Sequence, residues 1–88
     1  MKKNAYTVVV SECTKSSTPG STYILGERLA ERHYDKLVDA MEEGHFQIGR
    51  ERAVIVRPNF NEQDGKGHFF REWRSFDGSK LKEVRFYF

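Results

Sequence analysis

The stretch that most narrows what this chain can fold into is its closing one, HFFREWRSFDGSKLKEVRFYF, His68 to Phe88. Of the chain's seven Phe, four Tyr and one Trp, seven rings fall here: Phe69, Phe70, Trp73, Phe76, Phe86, Tyr87 and Phe88. Two ring-rich runs flank Asp77-Gly78, a dipeptide that favours a tight hairpin because both residues tolerate positive φ. The chain is therefore expected to build an antiparallel sheet at this end, and what remains is its register. A two-residue loop sets Glu72 opposite Glu83, a like-charge pair. A four-residue loop over Asp77–Lys80 sets Phe76 opposite Leu81, Arg74 opposite Glu83, Glu72 opposite Arg85 and Phe70 opposite Tyr87. On the other side of the hairpin it pairs Trp73 with Val84 and Phe69 with Phe88. Each favourable cross-strand pair contributes roughly 0.2–1 kcal/mol, so the four-residue loop is expected.

That register predicts two unlike faces. Phe69, Trp73, Val84, Phe86 and Phe88 pack on the core. Phe70, Arg74, Arg85 and Tyr87 share a wet face, because a row of paired charges is costly to bury. These four are the candidate partner-binding residues. A rival reading is a short helix over Phe69–Phe76, since Phe69, Phe70, Trp73 and Phe76 also fit helical spacing.

Upstream, Tyr6–Ser11 is β-branched and aromatic, a strand, and Thr22–Leu25 reads as its hairpin partner across a loop over Thr14–Gly20. In ERHYDKLVDAMEEG the apolar residues Tyr34, Leu37, Val38 and Met41 fall at i, i+3, i+4 and i+7. This spacing predicts a helix with that stripe buried, Asp35, Asp39 and Glu43 in solvent, and Gly44 as the residue that ends it. Phe46–Ile48 is expected as a short strand, Gly49–Glu51 as a turn, and Arg52–Arg57 as a central strand. Pro58–Gly67 is a polar loop in which Phe60 is either an anchor or exposed.

Eighty-eight residues make one domain, 1–88, and rings help so short a chain to build a core. The expected fold is α+β: an antiparallel sheet of five or six short strands with one amphipathic helix packed on one face, in the order β-β-α-β-β-β-β. Net charge is +2, too small to argue for nucleic acid by itself. Residues 1–45 carry six Lys/Arg against seven Asp/Glu, and residues 46–88 nine against six, so the basic excess lies with the rings. Cys13 is the one cysteine, which excludes an internal disulfide and fits a reducing, cytoplasmic setting. The apolar run Ala5–Val10 is too short for a signal h-region or a membrane span.

The sequence assigns no catalytic residue, no cofactor and no metal. His33, His45 and His68 are dispersed, the helix carboxylates line a rod and not a cleft, and Gly65-Lys66-Gly67 lacks phosphate-loop spacing. KGHFFREW, Lys66 to Trp73, is partly similar to the RNA-recognition-motif signature at Lys66, Gly67, Phe70 and Trp73. His68, Phe69 and Arg71 depart from it, and the chain leaves no room for the two helices which that family needs, so the likeness is coincidental. The order of a strand pair, YDKLVDAMEEG, FQIG and a further strand is similar to small uncharacterised bacterial and phage proteins of β-β-α-β plan. That likeness covers roughly the first two-thirds of the chain without a specific motif, and implies an accessory binding protein. The expected function is thus non-enzymatic: binding a protein partner as a phage or bacterial accessory factor or inhibitor. The alternative is single-stranded nucleic acid stacked on Phe70 and Tyr87, with Arg74 and Arg85 near phosphates. No small-molecule substrate is evident, and the sequence sets no oligomeric state.

Overall fold

The computed structural model describes residues 4–15 and 22–88. Its elements are β1 (Tyr6–Lys15), β2 (Tyr23–Tyr34), α1 (Leu37–Gln47), β3 (Arg52–Pro58), β4 (Glu62–Asp64), β5 (Gly67–Phe76) and β6 (Lys82–Tyr87). The fold is α+β, with one helix and a six-stranded antiparallel sheet in the expected order. β2, β1, β3 and β5 are successive neighbours. Trp73 pairs with both Val56 and Glu83, and Phe69 with both Glu62 and Tyr87. β3 and β4 therefore lie end to end along one edge of β5, and β6 takes the other.

β1 is an interior strand, between β2 and β3, because its run of Thr and Val can be buried on both sides. Thr7, Val8, Val9 and Val10 are all buried. Residues directly opposite one another share a face, so Val8, Val10, Val54 and Val56 line one side. α1 covers that side with Ala40 and Gly44, both buried. A Cβ on Gly44 would lie 2.5 Å from Val56 Cγ2, so the helix approaches the sheet only because that side chain is missing. Tyr6, Ala30, Tyr34, Met41, Trp73 and Leu81 close the margins of this core.

The helix departs from its expected limits. Residues 31–34 belong to β2, with Tyr34 opposite Tyr6 and Arg32 opposite Val8. Pairing with the valine-rich β1 outweighs local helical spacing, and the helix starts after Lys36, whose side chain makes no capping bond. Gly44 is interior and not terminal, and Phe46 and Gln47, expected in a strand, complete the last turn. The stripe is correspondingly rotated: Leu37 and Met41 are half-buried, and Val38 is 59% exposed. Asp35 and Asp39 are in solvent, but Glu43 is half-buried and accepts a 3.1 Å hydrogen bond from the Tyr34 hydroxyl. Burial and that carboxylate together push the Tyr34 phenol up. The loop expected over 14–20 lies, from residue 16 onward, outside the described residues.

The final hairpin forms, and no helix crosses Phe69–Phe76, but its register is neither of the two weighed. Phe70 is opposite Phe86, Arg71 opposite Arg85, Glu72 opposite Val84 and Trp73 opposite Glu83. The expected pairs Phe76 with Leu81 and Glu72 with Arg85 are both displaced by one residue. The turn explains the slip. Asp77 (φ 52°) and Gly78 (φ 84°) form the two-residue loop, with Ser79 N–H donating to the Phe76 carbonyl at 3.2 Å. Between that turn and the first ladder pair, Arg74 with Lys82, three residues (79–81) lead into β6 where two (75–76) end β5, so one residue bulges out. The Ser75 hydroxyl donates to the Ser79 carbonyl at 2.6 Å and the Ser79 hydroxyl accepts from Phe76 N–H at 3.0 Å, which holds the bulge closed.

Candidate functional site

A slip of one residue sends every β6 side chain to the opposite face. The four residues expected to share a wet face are therefore divided. Phe70 and Arg74 lie on the side away from the helix, and Arg85 and Tyr87 lie on the helix side, across from Arg71 and Phe69. Phe70 is 52% exposed and Tyr87 44%, so both rings reach solvent, in opposite directions. Phe86 and Phe88, expected in the core, join Phe70 instead. The single patch of Phe70, Arg85 and Tyr87 does not form.

On the helix side, beyond the reach of α1, Phe69 is only 3% exposed. The Tyr87 ring lies 5.2 Å from it, and the Arg85 guanidinium sits 4.6 Å above its centre. Arg85 is held by Glu83 at 2.7 Å and Asp64 at 3.1 Å, and the Tyr87 hydroxyl donates to Asp64 at 2.7 Å. Next to it, Arg71 lies 4.5 Å over Trp73 and pairs with Glu62 at 2.9 Å and Glu83 at 3.6 Å. The Tyr87 hydroxyl, then the Lys66 backbone N–H, hold the Asp64 carboxyl below its ordinary range. Arg85 does the same for Glu83, and is itself pushed up. Cation, carboxylate and phenol satisfy one another here, so this network acts as a cover for Phe69 and Trp73. Two of its three acids, Glu62 and Asp64, come from β4, which reads as loop in the sequence; the alternation Glu62-x-Asp64 was the available signal.

The opposite face of the sheet has no helix over it among the described residues. At its β3–β5–β6 end Phe70, Phe86 and Phe88 are exposed, with Phe70 and Phe88 5.2 Å apart. The Arg74 guanidinium lies 5.0 Å over Phe86 and pairs with Glu72 at 2.7 Å. β3 pairs with Trp73–Phe76 and β4 with Gly67–Phe69, which leaves Phe70, Arg71 and Glu72 without a strand neighbour on that edge. The chain arches over this break through Asn59–Asn61, and Phe60 is anchored edge-on to Tyr6 at 5.7 Å. The result is a groove of about 430 Å³ walled by Pro58, Phe60, Phe70 and Phe86 and rimmed by Arg57 and Asn61. Alternation places Arg57, Arg74 and Lys82 on this end of the face with one carboxylate, Glu72. Arg57 makes no ion pair among the described residues.

At the other end of the same face, Tyr23 and Phe76 stack at 5.2 Å, and Cys13 is buried. Burial, then the Asp77 charge, push the Cys13 thiol up, the reverse of what activates a nucleophilic thiolate. Among the described residues no three His, Cys, Asp or Glu side chains are grouped to hold a metal, and no helix is long and apolar enough to cross a membrane. Comparison with known proteins finds no matching family model, curated protein or solved structure.

Proposed function

We propose that the chain is a non-enzymatic binding module that docks a protein partner on the uncovered face of its sheet, at the groove beside Phe70 and Phe86. The observation that carries this reading is the break between β3 and β4, which opens a ring-walled groove with a polar rim. Apolar walls inside a polar margin are the usual anatomy of a protein interface, and aromatic residues with arginine dominate its energetics. Phe70, Phe86 and Arg74 supply those residue types on rigid strands, where little side-chain freedom remains to be lost on binding. Of the four candidate residues, Phe70 and Arg74 keep the contact role, and Arg85 and Tyr87 act in the cover over Phe69.

A second reading, single-stranded nucleic acid, draws support from one feature: Arg57 and Lys82 make no ion pair among the described residues and lie beside exposed rings, as in stacking platforms with a cationic margin. Capture on the immobilised chain separates the two. Nuclease treatment leaves a protein partner bound and removes a nucleic-acid one. Protein binding also declines only modestly between low and high salt, whereas phosphate contacts lose affinity steeply through counterion release. Capture that vanishes with nuclease replaces the first reading by the second.

A further inference from the structure

Phe46 is the large apolar side chain with least reason to be where it is, in the last turn of α1 and 82% exposed. Val38, Glu42 and Phe46 fall at i, i+4 and i+8, one stripe along the helix, opposite the buried pair Ala40 and Gly44. Asp39 lies beside that stripe. Neither Asp39 nor Glu42 makes a hydrogen bond or ion pair among the described residues. The outer face of α1 is thus an exposed ring and a valine set among unpaired carboxylates. The groove is its converse: a ring-walled recess with an unpaired cation, Arg57, on the rim.

We propose that these are the two halves of one interface, and that the outer stripe of α1 in one copy of the chain seats on the uncovered sheet face of a second copy. Phe46 enters between Phe60, Phe70 and Phe86, and Glu42, one helical turn away, meets Arg57. The inference rests on the reading of that face as a protein-docking surface and names its partner. Three things favour a second copy. A recess of about 430 Å³ has room for one aromatic side chain. The charges are complementary: Asp39 and Glu42 lie by the ring, and Arg57 lies at the recess, where Glu72 is already paired with Arg74. And α1 covers the other face of the sheet, so no chain can place its own stripe in its own groove. Each copy then offers one half and receives the other, a heterologous contact that closes into a ring or extends as a chain.

Two substitutions at exposed positions test it without touching the core: Phe46→Ser, which removes the plug and keeps the groove, and Phe70→Glu, which spoils the groove and keeps the plug. Sedimentation velocity of the full chain, up to roughly 1 mM, the weak end of specific association, reads the mass. The wild type is expected to gain mass with concentration and to lose only part of that gain in high salt. Each variant alone is expected to stay monomeric, and an equimolar mixture to form a dimer and stop there, because one intact plug and one intact groove remain. A wild type that stays monomeric, or a mixture that does not dimerise while each variant is folded by circular dichroism, overturns the inference. If the wild type is monomeric and still binds another protein in a manner lost with Phe70→Glu, self-association fails and the docking reading stands. If Phe70→Glu alters neither, both fail.

Discussion

Beneath the helix the sheet is lined by valines and covered by an alanine and a glycine, whereas at the β4–β6 end it is lined by rings and covered by arginines. Both arrangements keep water off the backbone ladder, by different physics. The first depends on close approach: with no side chain at Gly44, α1 settles onto Val56 and buries small apolar groups completely. Over the second no helix lies among the described residues; flat guanidinium groups lie on Phe69 and Trp73 instead, and their charges are met by Glu62, Asp64 and Glu83. A short chain can thus extend its sheet past the helix that covers it if long polar side chains serve as the lid. The valine core should then be indifferent to pH and salt, and the lid should not.

The largest effect is expected where the lid covers a ring. Phe69→Ala should destabilise the domain by about 3–5 kcal/mol in urea unfolding, the usual cost of deleting a buried Phe. Phe70→Ala, its exposed neighbour, should change stability by about 0.5 kcal/mol or less. Equal losses at the two positions would refute the facing of β5, with Phe69 under the lid and Phe70 in solvent. Next, Val56→Ala should cost about 2 kcal/mol under the helix, with the same loss at low and high salt. A loss that shrinks with salt would mean that the valine core is not independent of the charges.

The smallest expected effect concerns pH. Asp64 and Glu83 are held below the ordinary carboxylate range in the folded chain, so their ionised forms favour folding. Their contribution is complete above the unfolded values, near about 4, and is lost as pH falls from there toward the folded values. Urea midpoints should therefore drop on acidification below about pH 4, and Asp64→Asn should flatten that acid limb without altering the neutral one greatly. An unchanged acid limb in Asp64→Asn would remove this carboxylate from the lid.

Much of this fold was legible because strongly patterned segments are locally consistent. The β-branched run Tyr6–Ser11, the strand Arg52–Arg57 and the Asp77-Gly78 turn each carry their own signal, and the α+β order followed from them. The helix limits were not legible, because the residues facing the sheet are Ala40 and Gly44, which hydropathy does not mark, while Tyr34 and Val38 completed an apparent stripe. Pairing of the end of β2 with the start of β1, Tyr34 with Tyr6 and Arg32 with Val8, is a tertiary preference that local spacing does not contain. The candidate site was half legible. Phe70 and Arg74 fall where an exposed surface was expected, but one bulged residue after Ser79 moved Arg85 and Tyr87 to the other face. Cross-strand charge pairing favoured the wrong register because the acids that satisfy Arg85 and Arg71 include two from β4, outside the hairpin.

The proposal that a partner docks on the uncovered face, while Tyr87 serves in the lid, separates Phe70 from Tyr87. It is tested most directly by measuring the affinity of one captured protein partner for the wild type, Phe70→Ala and Tyr87→Ala. Phe70→Ala is expected to weaken binding at least about tenfold, as loss of a central aromatic anchor does, and Tyr87→Ala to leave affinity within about twofold. A loss with Tyr87→Ala that matches or exceeds that with Phe70→Ala, in folded variants, would contradict the account and move the interface to the helix side of the sheet.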